Sequence, residues 1–588
     1  MSRAQRSNRT RKCVSMALGI LSIALGGVAA ALQAAQPAEQ WLPQDAVLVV
    51  HIAQPAALLD LAADLKIPEA IAASQSPQKQ PGNSDWQNLL RFGDALGAKL
   101  GTDWKGLLRK LTGAGITYAV YPRDTNLVMF DAQDIGAMEQ VRQLVQSIIS
   151  QQGGTPEASK RGAFYREFPG GAAWSFDGKQ HFAIAGNRLV MCNRLEMLKL
   201  LLQPRQQGAL ASWPLYAQAR KAAGEGTAAW VFVNMAMLNQ APPVRQALTQ
   251  AGSPLEALLG AAVKQSLGQS NWVAVGVRVA GHSLSLRAVA DGKADLRAAA
   301  FALPPDGGQG PLSNLTVPRQ LAAASVWRDL HKFYLAKDAL FPGKTSGGIL
   351  LENFMEIFFT GRDLAEEVFA RFNPAVRLVV AGQEYDAAVG TPLEQYPAAA
   401  LVFRVDRPDD FGEVFEEAWQ KAIGIVNFTR GQQAQRGLIF DKSVHRGVPF
   451  TYCYFSAHGE KARERLPARF NLRPALARFG PYLILSSTDA LAKDVIDALS
   501  REEGRAPPAP AGAHTLLEIT NGSGIAALLN ANRSALVRQS VVGSGASPQQ
   551  AEAQLGLNMV LLQHLDRVRF SVSATPDGHR AEAELHLR

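Results

Sequence analysis

The chain has 588 residues, 47% of them hydrophobic and 19% charged, with a formal net charge of +9. That much apolar material supports more than one core and excludes a disordered or low-complexity chain. Five of the positive charges lie in the first twelve residues, so the remainder carries only about +4, dispersed along its length, which excludes a polyanion-binding footprint and hence a nucleic-acid partner.

The opening reads as a leader. Arg3, Arg6, Arg9, Arg11 and Lys12 precede an uncharged stretch from Cys13 to Ala35, rich in Ala, Leu, Ile and Gly. Ala29 and Ala31 offer a small-residue cleavage site, the layout of a secretory signal over residues 1–35. Two outcomes stay open. Cleavage would start the mature chain near Gln36; retention would leave an anchor, because the stretch approaches the roughly 20 residues that span a bilayer. Any membrane contact is expected only through an uncleaved leader. Cys13 precedes the apolar core, which argues against a lipid-modified Cys.

Next comes the opening Trp41-Leu42-Pro43-Gln44-Asp45, a strand from Ala46 to His51, and a helix marked by Leu58, Leu59, Leu61 and Leu65. Residues Ser74 to Ser84, rich in Gln, Pro and Ser, read as a loop; helical periodicity returns at Trp86–Leu96 and Trp104–Leu111. From here, five segments of the first half return in order in the second. The strand Ile116–Tyr121 matches Val376–Ala381. Asn126–Phe130, leading through Asp131 into a helix, matches Ala400–Val405, leading through Asp406 into another. In both, an Asp ahead of the helix is placed to cap its first turn. Arg188–Cys192 matches Tyr482–Ser486, and Trp230–Asn234 matches Leu516–Asn521. A closing hairpin through Gly281 matches one through Asp577-Gly578.

The expected fold is therefore α+β: two tandem similar domains, each a mainly antiparallel sheet with helices packed on one face. The first repeat spans 41–302 and the second 312–588. The Pro/Gly-crowded stretch 303–311 is the expected linker.

Chemistry is sparse. Cys192 and Cys453 sit inside apolar strands and read as free buried thiols, although one bridge between the halves stays open. Single histidines such as His51 and His514 read as structural. The fragment Gly343-Lys344-Thr345 lacks the earlier glycine of a phosphate loop and has Asp338 in its place. Gly543-Ser544-Gly545 has the wrong spacing for a nucleophile elbow. Asp409-Asp410 and Glu416-Glu417 suit a helix start and a solvated helix face. The basic run Lys461 to Arg478 reads as an exposed connection. No catalytic, cofactor-binding or metal-binding residue is assigned, and no cofactor is expected.

The stretch Leu42-Pro43-Gln44-Asp45-Ala46-Val47-Leu48-Val49-Val50 and the later Asn187-Arg188-Leu189-Val190-Met191-Cys192 resemble a group of exported bacterial, planctomycete-type proteins carrying a domain of unknown function. That family opens with Leu-Pro-x-Asp running into a strand. The second copy departs from it at Val317-Pro318-Arg319-Gln320, which lacks the Asp. The resemblance implies no activity. Export, duplication and absent motifs together point to a non-enzymatic extracytoplasmic (periplasmic or secreted) protein that binds or scaffolds an envelope protein or ligand. The alternatives are an unrecognised envelope-associated hydrolase and a membrane-tethered structural component.

Overall fold

The computed structural model describes residues 37–65, 97, 101–102, 104–152, 164–168, 170–203, 208–249, 253–293, 299–305, 308–341, 346–387, 389–456, 466–502, 509, 512–576 and 578–588. The expected leader, the helix at Trp86–Leu96, Gly343–Thr345 and residues 461–465 of the basic run lie outside the described residues. Among those described, no helix is long and apolar enough to cross a membrane. The chain divides into two compact units. The first comprises the described residues up to Leu238 and the segment Asn271–Val289; the second comprises Asn239–Ser270 and Ala290–Arg588.

The first unit carries strands β1 (Leu48–Ile52), β2 (Gly115–Tyr121), β3 (Thr125–Asp131), β4 (Phe164–Phe168), β5 (Gly171–Ser175), β6 (His181–Ala185), β7 (Arg188–Cys192), β8 (Ala229–Asn234), β9 (Trp272–Ala280) and β10 (Ser283–Ala290). They are ordered β10-β9-β8-β1-β2-β3-β7-β6-β5-β4, with antiparallel pairing from β9 to β4. Its helices are α1 (Ala38–Trp41), α2 (Pro55–Asp64), α3 (Trp104–Thr112), α4 (Ile135–Gln152), α5 (Leu195–Leu201) and α6 (Pro214–Ala223).

The second unit takes α7 (Pro242–Thr249) and α8 (Pro254–Gln269), then β11 (Gln320–Trp327), α9 (Leu330–Leu335), α10 (Ser346–Phe358), β12 (Phe372–Ala381), β13 (Ala398–Val405) and α11 (Pro408–Gln432). There follow β14 (Leu438–His445), β15 (Val448–Phe455), β16 (Ala475–Phe479), β17 (Tyr482–Ser486), α12 (Asp489–Glu502), β18 (Ala513–Ile519), α13 (Gly522–Ala531), α14 (Arg533–Ser544), α15 (Pro548–His564), β19 (Leu565–Thr575) and β20 (Gly578–Leu587). Its strands run β20-β19-β18-β11-β12-β13-β17-β16-β15-β14, antiparallel throughout. The neighbours of each strand are those of the strand ten places earlier in the first unit.

Helices cover both faces of each sheet, not one as expected. In the first unit, Leu198 and Leu201 of α5 and Tyr216 and Ala219 of α6 pack with Ala183 and Val190. Met138, Val141 and Val145 of α4 pack with Trp174 and Ile184 on the opposite side. In the second, Leu491, Val495 and Ile496 of α12 meet Ile484, while Phe411 and Ala418 of α11 meet Leu483. The reason lies in the strands. Successive side chains point to opposite faces, so the unbroken apolar runs Leu189-Val190-Met191 and Leu483-Ile484-Leu485 need cover on both.

The expected helix caps differ too. Asp131 accepts from Arg188 instead, and Asp134 caps α4 by accepting from Gly136 N. The helix α11 starts at Pro408 behind Arg407, with no side-chain cap.

The joint expected at 303–311 is not where the chain divides. Leu303 is buried with Phe301, Phe333 and Phe341, and with Ala257 and Ala262 of α8. The segment carrying α7 and α8, read as part of the first repeat, belongs to the second unit.

Arg328, at the end of β11, fastens α8 there. It is 2% exposed. Its Nε donates to Leu258 O at 2.7 Å, and Nη2 donates to Leu259 O and Thr515 Oγ1, both at 3.0 Å. Its Nη1 donates to Trp327 O at 2.6 Å, His514 O at 3.0 Å and Ala302 O at 3.4 Å. Every partner is an uncharged oxygen, and burial lowers the guanidinium pKa to about 10, so the cation persists at neutral pH. Arginine suits the place because its planar fork presents five donors in fixed directions.

Arg328→Lys should therefore destabilise the protein despite keeping the charge, by about 2–4 kcal/mol, because buried carbonyl acceptors lose their donors; urea unfolding measures this. A fragment of residues 312–588 should expose the face that α8 covers and aggregate, whereas 239–588 should stay in solution; size-exclusion chromatography distinguishes them. Acid gives a third test. His514 sits edge-on to His579, ring centroids 5.6 Å apart, and burial lowers its pKa to about 3. The unfolded chain takes up this proton below about pH 6.5 and the folded chain does not, so stability contributed by neutral His514 is full above that pH and is lost as pH falls toward 3. In His514→Gln the fall in urea midpoint over this window should be shallower than in wild type.

Candidate functional site

The most developed cleft among the described residues lies in the first unit. It has a volume of about 490 Å³ and runs between α1 and α6, with Glu39, Tyr216, Arg220, Lys221 and Glu225 along its walls. Two sequence features build it. The first is the Leu42-Pro43-Gln44 opening. Leu42 is fully buried, and its carbonyl accepts from Leu210 N at 2.7 Å. The Pro43 carbonyl accepts from the Tyr121 hydroxyl at 3.3 Å, and Gln44 Nε2 donates to Ala209 O and Ser212 Oγ. These bonds fix α1 against the short turn Leu210–Ser212 that leads into α6. The second is the end of α6, where Gly224 adopts φ +96°, a conformation open to glycine but strained for other residues. Its carbonyl accepts from Arg220 Nη1 at 2.9 Å.

Beneath the cleft lies an aromatic and polar floor. Trp230 of β8 receives the Arg220 guanidinium 5.1 Å above its ring, a cation–π contact, and meets Tyr216 edge-on at 5.5 Å. His51 of β1 lies 5.5 Å from Trp230 on its neighbouring strand, and its Nδ1 shares a 2.8 Å hydrogen bond with Thr117 Oγ1. Burial pulls the His51 pKa down, and Glu39 and Asp131 only partly oppose this. Arg188 pairs with Asp131 while stacking over Trp41 at 4.8 Å, both charged side chains almost fully buried.

The cleft itself holds charges without partners. Among the described residues, neither Glu39 nor Lys221 has an ion-pair partner. Tyr216 is 3% exposed, yet its hydroxyl makes no hydrogen bond. Burial, and secondarily the Glu39 carboxylate, push the Tyr216 pKa far up, so the phenol stays protonated. The pair does not reach hydrogen-bond geometry. Elements corresponding to this roof are missing from the second unit: no helix precedes β11, and among the described residues none stands between α12 and β18.

The residues singled out from sequence fall elsewhere or serve structure. Cys192 and Cys453 are free and buried. Burial pushes the Cys192 thiol up and the Cys453 thiol up to about 11, leaving both protonated and unreactive at neutral pH. Of the two single histidines, His51 forms part of the floor under the cleft and His514 lies in the core of the second unit. Asp409 and Asp410 occupy the first turn of α11, and Glu417 pairs with Lys421 and Arg362. Gly543-Ser544-Gly545 ends α14, Gly545 being left-handed. Within the basic run, Arg473 pairs with Asp489 and Arg478 with Asp409, while Arg469 stacks on Phe470. No cluster of three or more His, Cys, Asp or Glu able to hold a metal occurs among the described residues. The cleft residues Glu39, Tyr216, Arg220 and Lys221 were not singled out from sequence. They carry no motif, and the wall positions 39 and 220 are brought together only by the fold.

No family model matches the chain, and no curated protein matches it. Among solved structures it is similar to crystal forms III, I and IV of TP0453. These match with TM-scores of 0.22, 0.22 and 0.21 and identities of 8%, 8% and 9%, covering 44%, 44% and 42% of this chain and 81%, 81% and 80% of that one. At these TM-scores the likeness carries no argument about fold or function.

Asp131→Asn should cost about 3–5 kcal/mol in urea unfolding, because it leaves the Arg188 cation buried and uncompensated. Adding Arg188→Met should recover much of the loss. Both thiols should resist a disulfide-exchange reagent at pH 7.5 in the folded chain and react only as it unfolds.

Proposed function

We propose that this is a non-enzymatic extracytoplasmic protein, built from an internally duplicated α+β unit, that binds an envelope component in the cleft of its first unit. The observation that carries the reading is that cleft. It is roofed by elements the second unit lacks, and it presents Glu39, Lys221 and the Tyr216 hydroxyl without protein partners. Recruitment of one of two copies to binding, with the other kept as framework, accounts for the difference.

Duplication is supported by the strand neighbours, repeated ten places on, and by the five sequence matches. Those matches fall on β2/β12, β3/β13, β7/β17, β8/β18 and the hairpins β9–β10/β19–β20. Export is supported by the basic, then apolar, leader. Membership among the exported planctomycete-type proteins belongs to the same proposal and rests on the Leu42 to Val50 opening, whose Leu-Pro-Gln stretch braces the cleft. The thiol and histidine environments favour binding over hydrolysis: protonated Cys192 and Cys453 and a neutral, stacked His51 are poor nucleophiles or bases.

Two measurements test this. Expressed in a bacterium, the protein should appear in the extracytoplasmic fraction with a mature N-terminus near Gln36; a membrane-bound chain keeping the leader would favour the tethered alternative, and a cytoplasmic chain would overturn export. Small molecules extracted from the envelope should release heat on titration into the wild type. Ala217→Phe, which fills the cleft, should abolish that heat; equal heats in both would sink the assignment of the cleft.

A further inference from the structure

The charges in the cleft have a sign pattern and a spacing, and the inference rests on the binding role proposed above. Glu39 stands on α1 opposite Tyr216. One helical turn further along α6 come Arg220 and Lys221, with Glu225 beyond them. Four residues of helix advance about 6 Å. Arg220 is fixed in place, its guanidinium held over Trp230 and one nitrogen spent on the Gly224 carbonyl. Lys221 is exposed and free to swing. At the other end the buried Tyr216 oxygen has spare lone pairs beside the Glu39 carboxylate, and a buried hydroxyl left unsatisfied is costly.

We propose that this cleft takes a small zwitterion of dipeptide length, its ammonium set between Glu39 and the Tyr216 oxygen and its carboxylate set against Arg220 and Lys221. The ammonium donates to the Glu39 carboxylate and to the Tyr216 oxygen, and the carboxylate accepts from the free N–H groups of Arg220 and from Lys221 Nζ. In an extended dipeptide the amino nitrogen and the carboxyl carbon stand about 6 Å apart, from one Cα–Cα step and its flanking bonds. This matches one turn of α6. A single α-amino acid, whose two groups share one Cα, is too short to meet both ends. Glu225, at the carboxylate end, disfavours a ligand with a second negative charge there. The cleft volume of about 490 Å³ leaves room for side chains on both residues, so recognition falls on the termini rather than on side-chain identity.

Calorimetric titration of the full mature chain with Ala-Ala tests this. The free dipeptide should bind saturably. N-acetyl-Ala-Ala, Ala-Ala amide and alanine should each bind at least tenfold more weakly, and 5-aminopentanoic acid, which keeps the charge spacing without a peptide bond, should bind measurably. Glu39→Gln should erase the preference for a free amine, and Lys221→Gln should weaken the preference for a free carboxylate. Tyr216→Phe should weaken Ala-Ala several-fold while leaving the urea midpoint near wild type, since the hydroxyl satisfies nothing inside the protein. Ala-Ala binding no tighter than its doubly blocked analogue, or not at all, overturns the proposal. In that case, envelope-extract heat still abolished by Ala217→Phe would leave the binding role standing with a different ligand class; extract heat unaffected by Ala217→Phe would remove both.

Discussion

The second unit depends on a buried cation that no carboxylate neutralises. Arg328 spends its guanidinium donors on backbone carbonyls and one threonine hydroxyl, drawn from α8, from the segment at Ala302, from its own strand and from β18. Each oxygen carries only a partial charge, so their number has to offset desolvation of the whole cation. The arrangement tolerates little variation: a shorter or differently forked donor leaves several buried acceptors unmet. Through it, a helix encoded before β9 becomes part of a core whose sheet is encoded after residue 319, next to the small face of Ala257 and Ala262 and the aromatic side chains Phe301 and Phe333.

Around that constraint the two sheets share one plan and differ in what covers them. β1 lies between β8 and β2, as β11 lies between β18 and β12. On the equivalent row of the sheet, His51 and Thr117 are paired neighbours in the first unit, and Ser325 and Arg377 in the second. The polar pair in the first unit is uncharged. In the second, Arg377 is 1% exposed and reaches Glu502 at 2.7 Å at the end of α12. Each solution satisfies a buried polar row by different means, and each goes with its own roof: α1 and α6 over the first, the longer α12 over the second.

The cleft follows from the first roof. A four-residue helix has little cohesion of its own, since nucleation consumes most of what its few hydrogen bonds return. Here α1 is held by Leu42, Pro43 and Gln44 against the turn at Leu210, and so keeps Glu39 in place without an ion pair. Arg220 is held as firmly by Trp230 and Gly224. Opposite charges fixed on facing walls and kept from closing on each other form a preorganised receptor, because the ordering cost has been met by folding and not by the ligand.

Much of the plan was legible along the chain. Alternating apolar strands, glycine turns and five ordered matches specify antiparallel sheets with helices between strands, since period and turn chemistry are local properties. Free buried thiols also follow from cysteines set within apolar strands. The unbroken apolar runs at Leu189–Met191 and Leu483–Leu485 already required cover on both faces, a signal present but not used. Three things were settled only in the folded chain. The destination of α8 depends on which surface its apolar face meets, and an amphipathic helix encodes burial without naming its partner. The clamp at Arg328 uses backbone carbonyls, which every residue has and no side-chain pattern marks. Glu39 and Lys221 face one cleft across some 180 residues of chain, a proximity created by packing alone.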